Sequence, residues 1–164
     1  EFIECWSKLG DFAKRKLKPG GFLVAYSGQL NLLEVTKRLS EHLDYYWTFS
    51  LIHSGRNQLV QPRNLFCGWK PILVFQNGFQ RLSGDPFEDM INGTGDDKRY
   101  HDWQQSEQEL APLIQHFTNP GDLIVEPFAG GGTTLAAASK LGRHVIGCEL
   151  DRQTFLNAQS RLSA

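Results

Sequence analysis

An α/β fold, with a mostly parallel sheet and helices on both faces, is what this sequence predicts, and three observations predict it. Leu123, Ile124 and Val125 form a short continuous apolar run, the pattern of a strand buried on both faces. Gly130, Gly131 and Gly132 follow it and lead into a helical stretch of Leu135, three alanines, Ser139, Lys140 and Leu141. A second apolar run, His144 to Cys148, then ends on the carboxylate of Glu149. Strand, glycine turn, helix, strand and acid make a β-loop-α-β unit, and a helical crossover is what joins parallel strands.

From the N-terminus, Phe2 to Leu17 reads as an amphipathic helix, with Phe2, Trp6, Leu9 and Ala13 at helical spacing. Lys14, Arg15, Lys16 and Lys18 form a basic cluster at its end, as a solvated face beside a helix C-terminus would, or as a phosphate-binding patch would. Pro19-Gly20-Gly21 breaks the helix ahead of a strand, Phe22 to Tyr26. A helix over Leu30 to Leu43 carries Leu32, Val35, Leu39 and Leu43 on one face. Tyr45 to His53 is rich in aromatic and branched residues and reads as a strand; residues 54–70 read as a loop containing Arg56, Arg63 and Lys70, and Pro71 to Gln76 as a further strand. That loop suits either a DNA-facing edge or a plain surface.

Residues 77–102 are polar, with Phe79, Phe87 and Tyr100 interspersed and no clear period, as in a functional or disordered loop. Ser106-x-x-Glu109 is a capping-box pattern opening a helix whose buried stripe would be Leu110, Leu113, Ile114 and Phe117. Pro112 removes an intrahelical bond there, so a later start or a bend is expected. Thr133 or Thr134 can cap the helix after the glycines, Gly142 suits its C-terminal stop, and Asp151 can cap a final helix bearing Phe155, Ala158 and Leu162 along one side.

Composition bounds the function. The 164 residues suffice for one domain with a sizeable core, and 40% hydrophobic with 21% charged residues is ordinary for a globular protein. No apolar run reaches membrane-spanning length. Cys5, Cys67 and Cys148 are widely spaced without a Cys-x-x-Cys, which points to a reducing, cytoplasmic compartment rather than a disulfide framework. Five histidines show no ligand spacing, so no metal site is expected. A net charge of -1 exerts no global pull on nucleic acid.

The glycine unit places a nucleoside at the carboxyl ends of parallel strands, with Glu149 positioned to accept hydrogen bonds from ribose hydroxyls. The third glycine of a dinucleotide fingerprint is replaced by Leu135, and no lysine follows the glycines as a phosphate-binding loop requires. A ribose-bearing ligand without a pyrophosphate remains, and S-adenosylmethionine fits. A glycine turn serving compactness alone and a nicotinamide-dependent oxidoreductase are the alternatives.

Glu126-Pro-Phe-Ala-Gly-Gly-Gly-Thr-Thr resembles the Asp-Pro-Phe-x-Gly-x-Gly-Thr-Thr of the DNA amino-methyltransferases, in the subgroup whose catalytic motif precedes the cofactor motif. The resemblance extends through Asn119-Pro-Gly-Asp and Leu141-Gly-Arg-His-Val-Ile-Gly-Cys-Glu-Leu-Asp, and Glu126 departs from it by lengthening the acidic arm. His101-Asp-Trp-Gln-Gln-Ser looks like the family's His-Pro-x-Gln-Lys-Pro, matching at His101 and Gln104 and lacking the lysine. The resemblance implies a Rossmann-like S-adenosylmethionine-dependent fold, DNA as partner and a site-specific methyltransferase acting on adenine N6 or cytosine N4. Glu126, Pro127, Phe128, Ala129, Gly130, Gly132, Thr133, Glu149, His101 and Gln104 are its expected cofactor-binding residues. Trp103 is a candidate for stacking on base or cofactor, or else a core residue. Residues 77–102 occupy the position of a short target-recognition region in a single domain spanning 1–164.

The family's catalytic Asp/Asn/Ser-Pro-Pro-aromatic tetrapeptide does not occur; Asp85-Pro-Phe-Glu lacks the second proline. The expectation is a methyltransferase domain without its catalytic strand and loop, which would lie upstream of Glu1. A module that binds cofactor or a partner without catalysis is the alternative.

Overall fold

The computed structural model describes residues 2–53, 58–61, 63–93 and 106–162. They fall into two compact units, residues 1–92 and 93–164.

In the first unit, α1 (Phe2–Lys16) carries Glu4 in its first turn and Lys14, Arg15 and Lys16 in its last, each sign complementing the helix dipole. Asn77 closes its C-terminus: the side-chain amide donates to the carbonyls of Lys14 and Leu17, and its oxygen accepts from the Lys14 ammonium at 2.9 Å. Arg15 pairs with Asp11 one turn back. Much of the basic cluster therefore serves the helix end. Strand β1 (Phe22–Tyr26) and a short 3-10 turn lead to α2 (Leu32–Ser40), then to β2 (Asp44–Ile52). A hairpin of β3 (Gln58–Val60) and β4 (Leu65–Cys67) precedes β5 (Trp69–Gln76), and β6 (Met90–Asn92) closes the unit.

The sheet order is β1-β5-β2-β6, with β5 antiparallel to both neighbours and β6 parallel to β2. The α/β class holds, but the pairing is more mixed than a mostly parallel sheet. The reason is topological: β1 and β2 run in one direction, joined by the α2 crossover, and β5 returns between them in the other. Both faces of β5 are buried. Leu73 and Phe75 pack with Ala13, Val35, Leu39 and Leu43 beneath the two helices, while Ile72 and Val74 lie on the opposite face at 0% exposure. The three-residue strands β3, β4 and β6 correct the reading of 54–70 and of 77–102 as loop throughout. Strands that short leave no period to read, and β6 is defined by its pairing of Ser50 to Ile52 with Met90 to Asn92.

The second unit contains α3 (Glu107–Phe117), β7 (Leu123–Glu126), α4 (Thr133–Lys140), β8 (His144–Gly147) and α5 (Arg152–Leu162). The capping box forms at Ser106 and Glu109, and α3 runs from Glu107 with Pro112 inside it. The later start does not occur, because the satisfied first turn and the buried Leu110, Leu113 and Ile114 outweigh one missing bond. Strands β7 and β8 are parallel, Leu123 facing His144 and Glu126 facing Gly147. Leu123 and Val125 are 56% and 44% exposed, which corrects the expectation of a strand buried on both faces. With α4 packed against the strands, Ile124 and Val145 are shielded while Leu123, Val125 and Ile146 stay exposed. On α5, Ala158 is buried but Phe155 and Leu162 are exposed.

The Arg143 guanidinium donates to the Thr118 hydroxyl and carbonyl and to the Leu141 carbonyl, closing the C-terminal ends of α3 and α4 together. Those two helices run in the same direction, and their N-termini lie at the same end as the carboxyl ends of β7 and β8. Among the described residues no helix is long and apolar enough to cross a membrane, and no group of three or more His, Cys, Asp or Glu could hold a metal.

Candidate cofactor-binding site

The carboxyl ends of β7 and β8 carry Glu126 and Glu149, and the glycine loop lies between them in the chain. Each part of that loop has an anchor. The Ala129 amide donates to the Cys148 carbonyl at 2.8 Å, and the Gly132 amide donates back to the Ala129 carbonyl at 2.8 Å. The Gly130 amide donates to the Glu149 carboxylate at 2.8 Å, while the other carboxylate oxygen accepts from the Asp151 amide at 2.9 Å. The Asp151 amide, helped by those of Gly130 and Leu150, holds the Glu149 carboxyl below its ordinary pKa against some burial. Glu149 is thus ionised at neutral pH and fixed beside the loop. A carboxylate has about four acceptor positions, so these amides still leave capacity for a ligand hydroxyl.

The two outer glycines differ. Gly130 has φ +49, and among the described residues a Cβ built on it would meet nothing within 4 Å. Its far side is open space, as a ligand-facing glycine requires. Gly132 has φ +74, and its Cβ would lie 3.0 Å from the Ala158 Cβ, so this glycine lets the loop approach α5. It is also the N-cap of α4, which corrects the expectation that a threonine caps that helix. Both threonines are engaged elsewhere. Thr133 is buried and its hydroxyl accepts from Arg161 at 2.9 Å; the Thr134 hydroxyl bonds the Glu126 carboxyl. Burial pushes that Glu126 carboxyl up, offset in part by the Phe128 amide and Thr134. Pro127 is half-buried and Phe128 is 62% exposed at the start of the loop.

The structure therefore brings together Glu126, Pro127, Phe128, Ala129, Gly130, Gly132, Thr133 and Glu149 on one loop and two strand ends. His101, Gln104 and Trp103 lie outside the described residues. Asp151 caps α5 through the Thr154 amide at 2.8 Å, as expected of it. Three residues escaped the sequence reading. Arg161 reaches the loop from α5 and is itself paired with Glu107 of α3, and nothing in their sequence context signals it. Gly147 does carry a signal, since glycine inside a strand often marks a close approach. A Cβ there would sit 2.3 Å from the Leu135 Cδ1. The dinucleotide fingerprint puts a small residue on the helix for close packing; here the helix carries Leu135 and the strand supplies the space.

Comparison with known proteins places this geometry. A family model described as DNA methylase matches residues 40–160. The chain belongs to this DNA methylase family. It is 35% identical over 91 residues to the Escherichia coli (strain K12) protein named "Putative methylase YubD", covering 56% of this chain and 40% of that protein. It is 41% identical over 69 residues to the type II methyltransferase M.HindIII of Haemophilus influenzae, covering 42% of this chain and 22% of that one. The match thus spans well under half the length of either relative. The fold matches the crystal structure of the M1.HpyAVI–SAM complex with TM-score 0.79 at 19% identity, over 99% of this chain and 82% of that one. It matches PvuII DNA methyltransferase, described as cytosine-N4-specific, with TM-score 0.80 at 17% identity, over 98% and 70% of the respective chains. The DNA methylase family and its methyltransferase fold are therefore those the glycine motif implied.

Proposed function

We propose that the glycine loop and Glu149 bind S-adenosylmethionine, and that the protein transfers a methyl group to the exocyclic amino nitrogen of adenine or cytosine in DNA. The observation that carries this reading is the open space over Gly130 beside an ionised Glu149. A Cβ at Gly130 would enter that space, so the residues fit an adenosyl group. Membership of a DNA methylase family supports the reaction and the DNA substrate.

The bound cofactor would supply an electrophilic sulfonium methyl. Glu149 would accept from the ribose hydroxyls with the acceptor capacity its amide donors leave. Gly130 would let the ligand reach the main chain, and the exposed ring of Phe128 offers an aromatic face beside it. Held at the end of β7 by Thr134 and the Phe128 amide, Glu126 fixes the entry into the loop. His101 and Gln104 complete the candidate set on the strength of the motif alone.

An exocyclic amine is a weak nucleophile because its lone pair is delocalised into the ring, so the reaction needs hydrogen-bond acceptors for the amino protons. The target base must also leave the duplex stack. The family's tetrapeptide for these tasks is absent from these 164 residues. On our reading the rest of the protein supplies it, and residues 77–102 contribute to target recognition. That same absence favours a second reading, a methyltransferase-fold module that binds cofactor without catalysis. Calorimetry with S-adenosylmethionine and a methyl-transfer assay on adenine- and cytosine-containing DNA, both on the full-length protein, separate the two. Binding with transfer supports the first reading, binding without transfer supports the second, and no binding refutes both. NAD failing to compete with S-adenosylhomocysteine is the further expected result.

A further inference from the structure

Arg161 lies on the last turn of α5 with its side chain only 7% exposed, and it bonds to the protein itself. One end of its guanidinium donates to the Thr133 hydroxyl at 2.9 Å and to the Gly131 carbonyl at 3.3 Å; the other donates to Glu107 at 2.6 Å. Glu107 is the first residue of α3 and also pairs with Lys140 of α4 at 2.8 Å. The cation therefore joins three elements behind the loop: the start of α3, the start of α4 and the glycine run itself.

A run of three glycines has little reason to hold one shape. Each glycine reaches positive and negative φ with similar ease, so the peptides between them can flip where a residue with a Cβ could not. The Gly131–Gly132 peptide is held at both ends: its amide by the Ala129 carbonyl, its carbonyl by Arg161. Glu149 holds the amide of the Ala129–Gly130 peptide. Release of the Gly131 carbonyl would leave that peptide with one anchor instead of two.

We infer that Arg161, oriented by Glu107, is a positioning residue that presets the glycine loop in its ligand-accepting shape. The inference rests on the proposal that this loop binds S-adenosylmethionine. The arginine bonds the loop at the Gly131 carbonyl and the Thr133 hydroxyl, so its role is to remove alternative loop conformations before the ligand arrives. Arginine suits the task because its planar fork can satisfy a carboxylate, a hydroxyl and a carbonyl together, whereas lysine offers a single point charge.

The test uses the full-length protein with Arg161→Met, Arg161→Lys and Thr133→Val. Cofactor affinity is read by calorimetry, global stability by thermal melting, and loop opening by hydrogen exchange of the Gly130–Thr133 amides. Arg161→Met should bind S-adenosylmethionine about tenfold to a hundredfold more weakly, the range for losing hydrogen bonds to a charged group. Its loop amides should exchange faster in the free protein, and Arg161→Lys should recover only part of the affinity. In a methyl-transfer assay the KM for cofactor should rise with kcat at saturation little changed, a split that general destabilisation does not produce. Thr133→Val removes one acceptor without unburying a charge, and should weaken binding severalfold if Arg161→Met fails to fold. Wild-type affinity and wild-type loop exchange in folded Arg161→Met, or in Thr133→Val, would overturn the inference. A wild-type protein that does not bind S-adenosylmethionine would instead overturn the cofactor reading.

Discussion

Gly130→Val separates the ligand-facing role of the glycine loop from its structural one. The structure supplies both magnitudes. Among the described residues nothing lies within 4 Å of a Cβ at Gly130, so the substitution meets no clash from them at that atom, and the folded chain bears mainly the strain of φ +49. That strain is about 1–2 kcal/mol for a residue with a Cβ in the left-handed region. At roughly 2–4 °C per kcal/mol for a chain of this size, melting should fall by about 2–8 °C. The space the valine enters is the one assigned to the adenosyl group, so affinity should fall beyond calorimetric detection. Gly132→Ala makes the contrast. It carries comparable strain at φ +74 and also presses within 3.0 Å of Ala158, so it should destabilise by about 1–3 kcal/mol more through overpacking. Calorimetry with S-adenosylhomocysteine and thermal melts of the two variants read both quantities. Undiminished binding by folded Gly130→Val would refute the reasoning, because the ligand would then not pass over Gly130.

Other substitutions test the surroundings. Glu149→Ala should weaken cofactor binding by about 1–3 kcal/mol, and Glu149→Gln by less, since the amide oxygen can still accept from one of the two anchored amides; equal affinity in all three proteins would place the ribose elsewhere. Gly147→Ala should destabilise the fold by about 1–3 kcal/mol, because its Cβ would meet the Leu135 side chain at 2.3 Å; urea unfolding should show Leu135→Ala relieving part of this in the double variant. Burial raises the Glu126 pKa in the folded state, so between the ordinary carboxylate value and that raised one the native state binds the extra proton and stability falls as pH rises. Glu126→Gln lacks this titration, and its melting temperature relative to wild type should be higher at pH 8 than at pH 4; a pH-independent difference would exclude the shift.

The second unit was the more legible in sequence, because its signals are local. The capping box at Ser106, the stop at Gly142 and the cap at Asp151 each depend on a few neighbouring residues, and each forms. The start of α4 departs from the sequence expectation for a related reason. A threonine before an apolar helix suggests a cap, but Arg161 lies 28 residues from Thr133 and takes its hydroxyl. In the first unit the long elements were readable and the short ones were not. Strand β6 has no alternation to display, and it exists by pairing with β2 about 40 residues away. In sequence the basic cluster of α1 favours a solvated face over a phosphate site. The bonds of Lys14 to Asn77 and Arg15 to Asp11 decide for the helix end, so those two charges are committed within the chain.

Within the glycine motif several residues that carry the family resemblance are engaged by the protein itself. Thr133 faces Arg161, Thr134 holds Glu126, Gly132 admits α5, and Leu135 fills the space beside Gly147. These positions specify the shape of the loop. Gly130 and Glu149 are the pair whose geometry points to what the loop holds, one by open space and the other by a carboxylate with acceptors to spare. A protein keeping the first set while replacing the second would retain the loop and should lose the nucleoside. The double substitution Gly130→Val with Glu149→Ala makes that case directly. It should leave the exchange protection of the α4 amides near that of the wild type while abolishing S-adenosylhomocysteine binding. Loss of protection throughout α4 would mean that shape and recognition are not separable here.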